Sequence, residues 1–473
     1  MRISNQGRVR QQVKFLREQY LQDGNLPFGD VLSPEFLAQA MAALEGVWKD
    51  RIYTPLVTLW VFLSQVLSAD HSCRGAVARF IAYRISHGAE PCSAETGAYC
   101  QARKRLPERF FEAVACSTGR ELDTKVDHNW LWKGRRVYLF DGTTVTMPDT
   151  IENQAAYPQV YNQKTGAGFP IARIGALVSL SCGAILSLGV CRYAGKGQGE
   201  VSLLRQLWDV LRPGNVLLTD RLMANWTNIH LLQQRGIELV ARLNKANREA
   251  DFRRGKRLGC HDHLVLWRKP ATIRSLDRAT YRSFPEYVTV RETLIRVTQS
   301  GFRTKSVVIV TTLLDPRKFT REDLATLYRA RWNNELDLRS LKSTMQMHHL
   351  RCKTPELVRK EIWTHILAYN LIRTIIAQAA AIHDFAPRTI SFKGACQTLE
   401  AFQTVIELRA RVNSERRFEI YLHALDAIAT HRVADRPDRF EPRLKKRRPN
   451  HYGWLMKPRA EMKRLMAKGV ANN

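Results

Sequence analysis

Two aspartates each follow a short apolar run with the composition of a buried strand. Residues 137–140 (VYLF) precede Asp141, and residues 216–219 (VLLT) precede Asp220. Strand ends are where α/β sheets place functional side chains, and carboxylates are the ligands that hard divalent cations prefer. Either aspartate alone could equally cap a turn after its strand. Asp149 follows a proline beyond the first strand, so it is a weaker candidate than Asp141.

A later helix carries a third carboxylate within a polar stripe. Thr320 and Asp323 can form a capping box at its start. At about 100° per residue, four polar residues of this helix fall within roughly 60° of one another: Tyr328, Arg331, Glu335 and Lys342. The alternative is a solvated face stabilised by Glu–Lys pairing. Direct pairing needs a spacing of about four residues, whereas positions 335 and 342 are further apart.

The helix spacing resembles a known signature. Tyr328-x2-Arg331-x3-Glu335-x6-Lys342 is similar to the Y(2)R(3)E(6)K pattern of the insertion-sequence-4 family of DDE transposases, and two strand-end aspartates precede it in the order of that family. The resemblance covers about residues 55–460. It implies an α/β (mixed α+β) protein with an RNase H-like catalytic core and a β-rich insertion. An α-helical N-terminal domain and a helical, basic C-terminal region would flank this core.

The resemblance also implies a metal-dependent chemistry. Asp141, Asp220 and Glu335 would be the catalytic residues and would hold two Mg²⁺ or Mn²⁺ ions, which activate the attacking oxygen and relieve charge on the phosphate. Three converging carboxylates would repel one another without a cation, so an ion is expected on physical grounds as well.

Four further residues near the third carboxylate are expected to contact DNA. By resemblance Tyr328, Arg331 and Lys342 grip phosphates at the 5′ end of the element, a task suited to a forked guanidinium and an ammonium group. Trp332 is expected to stack on an unpaired base, with packing in the core as the alternative. Trp267 is a weaker candidate for the same role.

The charge of the chain favours a polyanionic partner. Seventy-four lysines and arginines against 44 acids give a formal net charge of +30. Such a field favours phosphate-rich partners through counterion release. Nine cysteines without a CxxC pair indicate neither a zinc ribbon nor a disulfide framework, and no signal peptide or convincing membrane span is present. These features predict a cytoplasmic, nucleoid-associated bacterial protein without a membrane partner.

The N-terminal 125 residues have helical patterns, including an apolar run from Pro55 to Leu67. A break at residues 91–93 separates a mixed segment from the basic segment 95–105, which carries Arg103 and Lys104. This arrangement is typical of a helix-turn-helix whose second helix enters a DNA groove. A solvated basic helix in a bundle explains the same pattern, and the sequence leaves the two alternatives open.

Changes in pattern predict four regions. We expect a helical DNA-binding domain (1–125), a catalytic core (126–222 and 320–385), a β-rich insertion (223–319) and a helical region with a basic tail (386–473). Two strands turning near Cys182–Gly183 are expected within the core, and the tail carries the run Lys445-Lys446-Arg447-Arg448.

The function these residues predict is that of a DNA transposase, an endonuclease and strand transferase. It would cleave the ends of its mobile element at the terminal inverted repeats and join them to target DNA, by a cut-and-paste route. Its partners would be double-stranded DNA and a second copy of the chain in a synaptic complex. The alternative is a domesticated transposase that keeps the fold, has lost its chemistry and acts as a DNA-binding regulator.

Overall fold

The computed structural model of the chain describes residues 52–433, apart from positions 87, 163, 247, 272, 274–275, 297–305 and 410–413. It also describes Met41, Leu44 and residues 457–468. The chain divides into two compact units. One, the helical unit, contains residues 1–131, 181–187 and 336–433. The other, the sheet unit, contains residues 132–180, 188–335 and 434–473. The basic run at residues 445–448 lies outside the described residues.

A nine-stranded mixed sheet organises the sheet unit, in the order β3-β2-β1-β4-β5-β9-β8-β7-β6. Its strands are β1 (Val137–Thr146), β2 (Ile171–Ser179), β3 (Ile185–Arg192), β4 (Val216–Thr219), β5 (Glu238–Arg242), β6 (Lys256–Gly259), β7 (Asp262–Arg268), β8 (Tyr287–Arg296) and β9 (Ser306–Thr311). The predicted turn between β2 and β3 is confirmed, with Gly183 at a φ of 84° that favours glycine.

Strand direction changes along this sheet. β1 pairs antiparallel with β2 and parallel with β4, and β4 pairs parallel with β5. From β5 onward every pairing is antiparallel, through β9, β8, β7 and β6. Strands from the range 223–319 therefore extend the sheet of the core rather than forming a sheet of their own. The mixed α/β fold class is confirmed.

Short helices accompany the sheet. They are α5 (Ile151–Ala156), α6 (Glu200–Leu207), α7 (Trp226–Gln234), α8 (Arg278–Ser283), α9 (Arg321–Ala330) and α14 (Arg459–Ala467). A further helix, α10 (Trp332–Arg339), begins in the sheet unit and belongs to the helical unit from Leu336 onward. α6 packs on β1 and β2, and α9 contacts β5 and β8. The predicted capping box at α9 is present: the Thr320 hydroxyl accepts from the N–H of Asp323, whose carboxylate accepts from the N–H of Thr320.

The helical unit is built around one long helix, α11. The helices of this unit are α1 (Pro55–Leu67), α2 (Cys73–Ser86), α3 (Gly97–Arg105), α4 (Glu108–Thr124), α11 (Pro355–Ile382), α12 (Phe392–Arg409) and α13 (Ser414–Thr430). α11 packs against α1, α4, α12 and α13. It is long and apolar enough to cross a membrane, but 83% of its most apolar window is buried in the protein, as in the core helix of a globular protein.

Buried polar groups fix the packing around α11. The side chain of Asn370 accepts from the N–H of Ile185 at 2.8 Å, and it donates to the carbonyls of Ile185 and Ala115. Gly119 permits this approach, because a Cβ at that position would lie 2.1 Å from the carbonyl oxygen of Ile185. One amide side chain thus ties α4 and α11 to the turn between β2 and β3.

The carboxylate of Asp337 is a second buried anchor of the helical unit. It is fully buried and accepts from Arg373 Nη2 at 2.6 Å, from Arg388 Nη1 at 2.7 Å and from the Tyr369 hydroxyl at 2.9 Å. Both carboxylate oxygens are hydrogen-bonded. Two guanidinium groups and a phenol therefore satisfy this charge completely.

Candidate active site

Asp141 lies on β1, and Asp220 directly follows the neighbouring strand β4. β1 and β4 pair in parallel as far as Leu139 and Leu218, and each aspartate comes two residues after its member of that pair. Neighbouring strands are about 5 Å apart, and residues in register point to the same face. We expected the first strand to end at Asp141, whereas β1 continues through it to Thr146 because its pairing with β2 continues. Asp220 follows β4, and its Oδ1 accepts from the N–H of Leu222 at 2.9 Å.

The carboxylate of Asp141 has an unfavourable charge environment. Burial, the largest cause, and the negative charges of Glu200 and Asp220 together raise its pKa to about 6. The N–H of Gly142, which donates to Asp141 Oδ1 at 2.8 Å, and the guanidinium of Arg331 only partly oppose these effects. A carboxylate in such a position gains stability from any cation that binds beside it.

Arg331 lies between two of the three predicted carboxylates. Its Nη2 donates to Glu335 Oε1 at 3.1 Å, and its Nη1 lies 4.0 Å from Asp141 Oδ2. The Tyr328 hydroxyl hydrogen-bonds with Arg331, and burial together with the charge of Asp220 raises the pKa of this phenol. Asp141, Asp220, Glu335, Tyr328 and Arg331 are therefore neighbours, as the spacing of the helix predicts.

The helix that carries this stripe is not continuous. α9 ends at Ala330 and α10 begins at Trp332. At Arg331, between them, the backbone N–H donates to the carbonyl of Tyr328, three residues back rather than four. α10 is followed by a π-helical turn, Ser340–Thr344, which contains Lys342. Lys342 belongs to the helical unit, and its carbonyl accepts from the Nδ1–H of His348.

The donor set suits a hard divalent cation. Two carboxylates, Asp141 on β1 and Glu335 on α10, lie within 4.0 Å of the guanidinium of Arg331, and the charge of Asp220 after β4 acts on Asp141. As the side chains lie, no three carboxylate, histidine or cysteine groups among the described residues are close enough to enclose an ion. The pKa of Asp141 is raised first by burial and then by the charges of Glu200 and Asp220, and Arg331 only partly opposes these effects. Oxygen ligands and charge therefore both fit Mg²⁺ or Mn²⁺.

Two tryptophans differ in their availability for base stacking. Trp332 has 51% of its surface exposed, so the alternative that it packs in the core is wrong. Trp267 is 4% exposed, and its Nε1–H donates to the buried carboxylate of Glu292 at 2.7 Å. Trp332 can offer a ring face to an incoming base, whereas Trp267 is a structural residue of the sheet.

The placement of Arg103 corrects the prediction for the basic helix α3. Arg103, expected as a DNA contact, is only 4% exposed, and its guanidinium lies over the rings of Tyr99 and Phe62. Lys104, the next residue, is exposed. The sequence carried a signal for this difference, because Arg103 is four residues from the aromatic Tyr99 and therefore shares its face of the helix.

Sequence reasoning missed Glu200, the first residue of α6. Its carboxylate pairs with Arg173 Nη1 at 2.9 Å. The same carboxylate lies close to the backbone of β1, because a Cβ at Gly142 would lie 2.7 Å from Glu200 Oε1. Its negative charge raises the pKa of Asp141. Only the fold brings α6 against β1, so nothing in the local sequence marks this residue.

The sequence of the chain is similar to those of known proteins. A family profile described as "Transposase DDE domain" matches residues 132–371. The chain is 27% identical over 374 residues to the transposase InsG of insertion sequence element IS4 from Escherichia coli K12, with 78% of this chain and 80% of that protein covered. It is 38% identical over 82 residues to the transposase of insertion sequence element IS421 from Escherichia coli, with 17% and 21% covered.

Among solved structures, the chain is similar to the piggyBac transposase in a synaptic complex with hairpin DNA. The TM-score is 0.42 and the identity 9%, with 86% of each chain covered.

Proposed function

The chain belongs to the insertion-sequence-4 family of DDE transposases, and from this premise we propose that it cuts the ends of its mobile element and joins them to target DNA. The observation that supports the proposal most strongly is that Asp141 and Glu335 both lie against Arg331, with the charge of Asp220 acting on Asp141. A surplus of carboxylates around one site is the donor set that metal-assisted phosphoryl transfer needs.

In this proposal the three carboxylates hold two Mg²⁺ or Mn²⁺ ions. When bound, the ions activate the attacking oxygen and neutralise charge that develops on the phosphate. Asp141 would be the central ligand, because its strand pairs with the strand that leads to Asp220 and its carboxylate lies 4.0 Å from the guanidinium that also binds Glu335. Because the pKa of Asp141 is about 6, its carboxylate loses its proton as the pH rises through this value, and the site should then bind cations more tightly.

Arg331 has a double role in this proposal. Without a metal, its guanidinium partly offsets Asp141 and Glu335. A bound cation would take over this charge and leave the forked guanidinium free for a phosphate of the DNA end, with Tyr328 beside it. Lys342 and Lys104 would add phosphate contacts, and Trp332, exposed at the start of α10, would stack on an unpaired base.

The proposed reaction series has four phosphoryl-transfer steps. Water cuts the 3′ end of the element, and the freed hydroxyl attacks the opposite strand to form a hairpin. Water then reopens the hairpin, and the 3′ hydroxyls attack the target DNA. This is a cut-and-paste route. It needs two element ends together, which two copies of the chain in a synaptic complex would provide, working on the bacterial chromosome in the cytoplasm.

The test is cleavage and joining of a labelled duplex that carries the element's own ends, with Mg²⁺ or Mn²⁺. Glu335→Gln should abolish both reactions and leave DNA binding intact. Glu322→Gln is the matched control, because it changes an exposed carboxylate in the first turn of α9, and it should keep full activity. DNA binding without metal-dependent cleavage in any of the three proteins would reject the proposal and favour a regulator that has lost its chemistry.

A further inference from the structure

A buried guanidinium in the helical unit has sulfur atoms for partners. Arg103 Nη2 lies 3.3 Å from Cys73 Sγ and 3.4 Å from Cys100 Sγ, and Nη1 donates to Gln65 Oε1 at 3.2 Å. Arg103 is 4% exposed, and the buried carboxylate of Glu361 acts on its charge from beyond hydrogen-bond distance. The side chains within hydrogen-bond distance of this guanidinium are Gln65 and three cysteines, and a guanidinium in contact with a thiol favours its thiolate form.

Two of these cysteines, Cys73 and Cys100, can supply that thiolate. The Cys73 thiol hydrogen-bonds with Cys100, and this bond, together with the guanidinium of Arg103 and the Thr96 hydroxyl, lowers the pKa of Cys100 to about 5. The same hydrogen bond and burial raise the pKa of Cys73. The Tyr53 phenol also faces this cluster. Cys100 is therefore the thiolate and Cys73 the neutral thiol.

Both cysteines are partly exposed residues. Cys73 and Cys100 are half-buried, in contrast to Cys352, whose sulfur lies 4.0 Å from Arg103 Nη1 and is buried. A partly exposed thiolate beside a guanidinium, with a second thiol in contact, has the features of a reactive cysteine with its resolving partner.

We propose that Cys100 and Cys73 form a peroxide-reactive dithiol that closes to a disulfide between α2 and α3. The Cys100 thiolate attacks one oxygen of a hydroperoxide. An S–O bond forms as the O–O bond breaks, and the leaving hydroxide or alkoxide takes up a proton. The Cys73 sulfur, as it loses its proton, attacks the resulting sulfenic acid, and the disulfide forms as water leaves. Two thiols lose two electrons and the peroxide gains them.

This oxidation acts on the helix that carries Lys104. The disulfide ties α3 to the start of α2 and removes the negative charge that offsets Arg103. The site is independent of the carboxylates of the sheet unit, so its test does not depend on transposase activity.

The first test is the pH profile of alkylation of the full chain by iodoacetamide, followed for each cysteine by mass spectrometry. Cys260 is the internal control because it is the more exposed residue. From about pH 6 to 8 the rate at an ordinary thiol rises on the order of tenfold per pH unit, whereas the rate at a thiolate stays flat. We expect a flat profile for Cys100 and a rising one for Cys260. A rising profile for Cys100 would overturn the proposal.

The second test is peroxide treatment followed by disulfide mapping. We expect a Cys73–Cys100 linkage in the wild-type chain. Cys73→Ser should stop at the sulfenic acid of Cys100, and Cys100→Ser should leave Cys73 reduced. Circular dichroism would check that both variants fold. A flat pH profile at Cys100 without any linkage to Cys73 would reject the resolving role of Cys73, and oxidation of Cys73 in Cys100→Ser would reject the assignment of the nucleophile.

Discussion

Asp337 in the helical unit and Asp141 in the sheet unit are both carboxylates that the fold removes from water, but they differ in how their charge is met. Asp337 is fully buried and is matched by two guanidinium groups and a phenol. The side chain of Asp141 keeps 25% of its surface exposed, with a single guanidinium at 4.0 Å and two further carboxylates nearby.

The difference separates a structural charge from a functional one. A buried charge with a complete set of partners holds elements together, and removing it leaves the partner charges unpaired. A carboxylate that the fold places among other carboxylates is held in an unfavourable state, which a ligand can relieve. Asp337 therefore stabilises the protein by itself, whereas Asp141 becomes favourable only when a cation binds.

The largest expected effect is the loss of chemistry in Asp141→Asn. DNA cleavage should fall by about a thousandfold or more, because metal ligands support several kcal/mol of transition-state stabilisation. Stability in the absence of metal should not fall, because the substitution removes a disfavoured charge. Cleavage assays and urea unfolding of the same preparation would measure both quantities. If this variant unfolds more easily than the wild type, Asp141 stabilises the protein as Asp337 does, and the distinction between the two carboxylates is wrong.

Asp337→Ala should show the opposite pattern. We expect a loss of about 3–5 kcal/mol in the free energy of unfolding, since Arg373 and Arg388 would be left buried without their counter-charge. Glu121→Gln is the control in the same unit: its pair with Lys125 is at the surface and should contribute less than about 1 kcal/mol. If Asp337→Ala and Glu121→Gln lower the free energy of unfolding by the same amount in chemical denaturation, Asp337 is not a structural anchor.

The pH dependence of stability should carry the signature of Asp141. Its pKa is about 6 in the folded, metal-free protein, above the value of an unfolded chain. Its contribution to stability is therefore fully present below about pH 4 and is lost as the pH rises through about 6, by about 2–3 kcal/mol. Asp141→Asn should lack this loss, and Mn²⁺ should reverse it in the wild type. Unfolding curves between pH 4 and 7 would check it, and coincident profiles of both proteins would contradict it.

The smallest expected effect is on DNA binding, and it distinguishes the roles of the two tryptophans. Trp332→Ala should leave stability unchanged and weaken binding of an element end with an unpaired base by about 1–3 kcal/mol. Trp267→Ala should instead lower stability by about 3–5 kcal/mol, because its ring is buried and its N–H is bonded to Glu292. Fluorescence anisotropy would measure the DNA binding of both variants, and thermal unfolding would measure their stability. Intact DNA binding by Trp332→Ala would remove this residue from the proposed interface.

The sequence predicts those parts of the site that follow from local pattern. Apolar runs before Asp141 and Asp220 predict adjacent strands, and the spacing of Tyr328, Arg331 and Glu335 predicts their common face. Features that depend on packing between distant segments cannot be predicted in this way. Glu200 reaches the site because α6 packs on β1 and β2, and Arg103 is buried because its helix turns a mixed basic and aromatic face inward.

The number of strands in the central sheet also could not be predicted from local sequence pattern. Strands of the expected β-rich insertion continue the central sheet through the pairing of β5 with β4 and with β9. Strand composition indicates that a segment pairs, but its partners are set by the hydrogen-bond register of the whole sheet.

The most direct test of metal binding at this site is the metal preference of Asp220→Cys. A thiolate is a poor ligand for Mg²⁺ and a better one for Mn²⁺. If Asp220 is a metal ligand, the variant should lose cleavage of the element end with Mg²⁺ and regain it in part with Mn²⁺, while DNA binding stays constant. If cleavage is absent with both ions or unchanged with both, although the variant is folded and binds DNA, Asp220 does not hold the metal and the account of the carboxylate site is wrong.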